Sequence, residues 1–155
     1  MSRYALTVTP MHYSIDPGVT GAIIRWHDEH IDVIDIDLTD LYVLSGQLAR
    51  GPATVILETT HARPITGSKG NFQQGETRGI LRGICATHGH RIEEVRPQRW
   101  KADLGLIGTG KNASRDLARH LYPQLADSLK RVKDHDRAEA ILIGHWYRHI
   151  QGDTS

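Results

Sequence analysis

The chain has 155 residues, a formal net charge of +1 and one cysteine, Cys85. That length suits one domain with its own core, and a lone cysteine without an intramolecular partner fits a reducing cytoplasm. No apolar run approaches the ~18 residues of a membrane span, and the opening MSRYALTVTP is too short and too polar for a secretion signal.

Residues 1–10 read as a tail or a short extra strand. Residues 11–16, MHYSID, form a strand, Asp16-Pro17-Gly18 a tight turn, and residues 20–27, TGAIIRWH, a return strand. Pro fixes one turn dihedral and Gly accepts φ > 0. Asp16 leaves the end of a buried strand, where a charge needs a partner; alone, it reads equally as a turn-capping residue. Residues 30–37, HIDVIDID, alternate imperfectly and suit an edge strand with one wet face. Its acids, with Asp28 and Glu29, are expected to be solvated and to carry no chemistry.

From Leu38 the period becomes helical. Leu41, Leu44, Leu48 and Ala49 share a face, Thr39 or Asp40 caps the start, and Gly51-Pro52 ends it. Residues 53–59, ATVILET, read as a central strand covered on both faces, ending in a second carboxylate, Glu58. Residues 61–75 are rich in glycine and read as a mobile loop, whose Arg63, Lys69 and Phe72 suit a phosphate backbone or a base. A helix from Glu76 to His88 buries Ile80, Leu81, Ile84 and Cys85. Its Arg78 and Arg82, four apart, share another face. Residues 91–96 make a fifth strand, and Pro97 opens a short helix with Trp100 and Lys101.

Residues 105–111, GLIGTGK, nearly match a nucleotide phosphate loop. The preceding WKADLG looks helical rather than strand-like, and Asn112 replaces the magnesium-binding hydroxyl, so the stretch reads as a connection. Asn112 or Ser114 caps the next helix, 112–121, and Lys111, Arg115 and Arg119 are placed to meet phosphates. The last helix runs from Asp134 to His149. Asp136 and Glu139, three apart, lie about 60° from one another around its axis. The apolar AILIG that follows presses the helix onto the sheet, so these acids point inward. Asp134 lies roughly opposite and reads as a cap; His135 is close enough to reach the same site.

Four carboxylates, Asp16, Glu58, Asp136 and Glu139, thus come from three elements. If the two strands are adjacent and parallel, with the helix across their ends, all four converge. Four negative charges in one cleft need cations or shifted pKa values. Hard oxygen ligands select Mg2+ or Mn2+, and a pair of such ions suits in-line phosphodiester cleavage. Zinc fits less well: the pairs His88/His90 and His145/His149 lack a third ligand nearby in sequence. Residues 1–60 carry three Lys/Arg and eight Asp/Glu, residues 61–155 sixteen and ten. That imbalance points to a polyanion-facing surface.

Four pieces in order, SIDPGVTGAI, ILET, RPQRWKADLGLIGTGKNAS and DHDRAEAILIG, resemble the RuvC family of Holliday junction resolvases, in the compact form often met in bacteriophages. The resemblance implies an α/β, ribonuclease H-like fold with a mixed five-stranded sheet flanked by helices. It implies a magnesium-dependent homodimer that nicks two opposing strands of a four-way DNA junction, in the cytoplasm of a bacterial or phage-infected cell. Asp16 and Glu58 resemble the first two metal ligands; Asp136 and Glu139 match the acidic pair of the last helix, with Glu where Asp is usual. A His replaces the first member of that pair in some relatives, so His135, or Asp134, is an alternative third ligand. Lys101 and Lys111 fall in the region of the family's basic active-site residues, with Arg115 an alternative to Lys111. DNA contacts are expected from Lys69, Phe72, Arg78, Arg82, Lys101, Lys111 and Arg115. Where some relatives carry an aromatic wedge this chain has His61, so strand separation either relies on Phe72 or is weaker. A flap or single-strand nuclease and a non-catalytic junction-binding module are the rival readings.

Overall fold

The computed structural model describes residues 10–59, 61 and 64–151. The expected strand or tail at residues 1–9, and Arg63, lie outside them. Five strands form one mixed sheet: β1 (His12–Asp16), β2 (Ala22–His27), β3 (His30–Asp35), β4 (Thr54–Glu58) and β5 (Arg91–Val95). Their spatial order is β3-β2-β1-β4-β5, with β1, β2 and β3 antiparallel and β1, β4 and β5 parallel. The expected meander and central strand are both present.

Side chains alternate across each strand, and this divides the core. Tyr13, Ile15, Ile23, Val55 and Leu57 face α1 (Leu41–Gln47) and α2 (Gly67–Thr87), where they meet Leu44, Leu48, Leu81 and Cys85. The alternate residues Ile24, Trp26 and Ile56 face α3 (Pro97–Asp103), α4 (Lys111–Leu121) and α5 (His135–His149). Asp16 and Glu58 have the parity of Ser14 and Ile56, so they emerge on the α5 side.

The central helix is α5. Its Ala140 carbonyl accepts from the Ser14 hydroxyl at 2.6 Å, and that hydroxyl accepts from the Trp26 indole at 2.9 Å. A Cβ at Gly144 would overlap the Trp26 ring, so glycine is what lets the helix approach the sheet.

Three local expectations need correction. The stretch 61–75 is not all loop: Pro64–Thr66 form a 3₁₀ turn and α2 starts at Gly67. Each glycine costs a helix about 1 kcal/mol. Extending a helix already anchored by Thr77, Leu81 and Cys85 nevertheless needs no new nucleus. Second, α4 starts after Gly110, and neither Asn112 nor Ser114 caps it. Asn112 accepts from Arg115, and Ser114 reaches across to Glu139. Third, Gly18 is not among the residues with positive φ; its role is spatial, as described below. Asp40 does cap α1, accepting from the Val43 amide at 3.0 Å.

Candidate metal centre

Parallel pairing of β1 with β4, register Ile15 to Leu57, brings Asp16 and Glu58 out side by side. The N-terminal end of α5 crosses this edge and adds Asp136 from its first turn and Glu139 from its second. One oxygen each from Asp16, Glu58 and Glu139 lie within 4.8 Å of one another. Asp136 completes the group in front of Gly18. A Cβ at residue 18 would stand 3.1 Å from an Asp136 oxygen and 3.3 Å from one of Asp16, so a side chain there would fill the space between the acids. The cleft holds about 430 Å³, and His61, Gln74, Gln98, Lys101, Lys111 and His135 also line it.

Each acid is held by a partner. The Gly18 amide donates to Asp16 at 3.0 Å, and the Trp100 indole N–H donates to Glu58 at 2.7 Å. Thr20 donates its hydroxyl to Asp136, whose other oxygen lies 2.6 Å from His135 Nε2. Glu139 accepts from Lys101 Nζ at 2.8 Å and from Ser114 at 3.3 Å. These contacts fix the orientation of the carboxylates and leave other lone pairs free.

Burial, with the charges of Glu58, Asp136 and Glu139, holds the Asp16 carboxyl well above the usual carboxylate range. Burial also pushes Glu58 up to about 7; Glu139 adds to this, while the Trp100 hydrogen bond and Lys101 oppose it. A site that retains protons near neutrality has excess negative charge that a divalent cation would neutralise. The four acids offer hard carboxylate oxygens, which fit a hard divalent cation. Of the histidine pairs, His90 spends one nitrogen on the Ala53 amide and the other on the Leu48 carbonyl, and His145 bonds Tyr122; among the described residues the acid group that could hold a metal includes no histidine.

The structure sorts the remaining candidates. Asp134 turns away from the cleft. Its side chain accepts from the Arg131 amide and guanidinium, both at 2.8 Å, rather than capping α5. Burial works against its charge, but the Arg131 contacts prevail and its pKa is lowered. His135 stands at the site. Of the basic candidates, Lys101 and Lys111 line the cleft. Arg115 is buried and donates to the Lys130 carbonyl and Asn112. Arg78 and Arg82 both pair with Glu94, at 2.6 and 3.4 Å. Lys69 is exposed in the first turns of α2, and Phe72 is 71% exposed. Sequence reasoning gave no role to Trp100 or Thr20, and read Ser114 as a helix cap rather than a partner of Glu139. The one available signal was Trp100 itself, an indole N–H that needs a partner once buried.

No family model matches the chain. A curated protein, the chloroplastic Holliday junction resolvase MOC1 of Chlamydomonas reinhardtii, is 38% identical over 91 residues, 54% of this chain. The match covers 10% of that protein, so the chain spans about a tenth of the length of this curated relative. Two solved structures are similar over 90% of this chain and 96% of theirs. They are T. thermophilus RuvC with a Holliday junction substrate, at 15% identity and TM-score 0.55, and a second Thermus thermophilus RuvC structure, at 16% and 0.51. The chain therefore has the ribonuclease H-like fold of RuvC. No helix among the described residues is long and apolar enough to cross a membrane.

Proposed function

We propose that this chain is a structure-selective endodeoxyribonuclease that resolves four-way DNA junctions with Mg2+, Mn2+ being able to substitute. The observation that carries the reading is the convergence of Asp16, Glu58, Asp136 and Glu139 with two lysines in one cleft. A protein that only bound a polyanion would gain nothing from four clustered acids. The similarity to a junction resolvase over 91 residues and to RuvC in fold supports the junction as substrate.

Asp16, Glu58, Asp136 and Glu139 would hold the cation, which when bound polarises the phosphodiester and lowers the pKa of an attacking water. Trp100 keeps Glu58 aimed into the cleft, and Thr20 and His135 do the same for Asp136. Lys101, held by Glu139, offsets the charge that builds on the phosphate. Lys111 stands at the same cleft for a neighbouring phosphate. Two copies acting as a homodimer would give paired nicks in opposing strands, in the cytoplasm of a bacterial or phage-infected cell.

The test sets four-way junctions, flaps, Y-forks and single strands side by side, with Mg2+ and with EDTA. Paired nicks in the junction, dependent on Mg2+, are expected. Preference for flaps or single strands would assign a different nuclease, and binding without cleavage would assign a junction-binding module.

A further inference from the structure

A second pocket, of about 240 Å³, opens beside the acid cleft, between the turn after β1 and the segment before α5. The two share Thr20, which lines the small pocket and donates its hydroxyl to Asp136 in the large one. Most charges around it cancel. Arg137 grips Asp35 with contacts of 2.7 and 2.5 Å, and Arg131 pairs with Asp134 at 2.8 Å. Lys133 lines the same pocket, is exposed, and has no ion pair among the described residues. Two apolar side chains have little cover: Val19, on the pocket wall, is 71% exposed, and Val132, the residue before Lys133 and outside the pocket lining, is 69% exposed.

An unpaired ammonium beside exposed valines suits a ligand with an anionic group and an apolar face. It repels a free cation. A strand lying across four acids also needs a grip on both sides of the reacting phosphate to keep it in line. Lys101 and Lys111 line the acid cleft with Glu139; Lys133 lines the neighbouring pocket, which Thr20 joins to Asp136.

We propose that this pocket holds a nucleotide flanking the scissile phosphate, with Lys133 on its phosphate and Val19 and Val132 against its sugar or base. The inference rests on the nuclease reading and adds a binding site to it. Lys133 is here a positioning residue.

The test measures four-way junction binding by fluorescence anisotropy in EDTA from 50 to 200 mM salt, and steady-state cleavage in Mg2+. Lys133→Ala is expected to weaken binding about three- to tenfold and to reduce the salt slope by about 0.9 for each copy bound, about 1.8 for a homodimer on one junction. Its effect on cleavage falls on KM rather than kcat. Val132→Ser is expected to weaken binding about threefold with the slope retained, since it removes contact and no charge. Both positions are exposed, and circular dichroism checks the fold. Wild-type affinity and slope in Lys133→Ala would overturn the site while leaving the nuclease reading intact. A wild-type protein that neither bound nor cut the junction would overturn both.

Discussion

Gly18 shows how one missing side chain makes a site. Its place in the turn after β1 is set by crowding between Asp16 and Asp136, not by a left-handed backbone. Gly18→Ala is therefore expected to keep the fold and lose most Mg2+-dependent cleavage, read by circular dichroism beside a nicking assay. Asp16→Asn removes a proposed metal ligand and a negative charge from the cleft, so cleavage should vanish while junction binding persists; retained cleavage would remove Asp16 from the site. Trp100 acts on Glu58 through a single hydrogen bond that lowers its pKa. Without that donor Glu58 should hold its proton to higher pH. Trp100→Phe is thus expected to shift the acid limb of the pH–rate profile upward. An unmoved limb would mean that Glu58 does not limit the reaction.

Elements place these residues, and they were unequally legible. The β1 and β4 strands were readable because their apolar runs end abruptly in a carboxylate, and strand alternation puts both acids on one face. The acidic pair of α5 followed from helical spacing beside AILIG. The start of α2 was not readable: Gly67, Gly70 and Gly75 argue locally for loop, and only packing further along holds the helix. The role of Asp134 was hidden as well, because Arg131, three residues earlier, outbids the helix for its side chain. Nor does spacing reveal that Arg115 points inward, since that depends on the Lys130 carbonyl brought there by the fold. The long glycine-rich α2 supplies a test of its own. A Cβ at Gly79 meets nothing within 4 Å. Gly79→Ala is therefore expected to stabilise the protein by about 0.4–1 kcal/mol, raising Tm. A lower Tm would mean that another surface covers this face in solution.

At the scale of the whole molecule, the acid cluster ties stability to pH and to metal. Glu58 moves from an ordinary 4.5 to about 7 in the folded protein, and Asp16 is raised as well. The folded state therefore holds protons that the unfolded state has released, so metal-free stability falls as pH rises from about 4.5 to about 7. A cation competes with those same protons. Mg2+ is expected to raise Tm more at pH 8 than at pH 5, and an equal shift at both would separate the cation from the acids. The most direct test is the position of the ion itself. Crystals soaked in Mn2+ should show anomalous density in contact with Asp16, Glu58 and Glu139, in front of Gly18. Manganese bound elsewhere, with these carboxylates left empty at saturating Mn2+, would contradict the account.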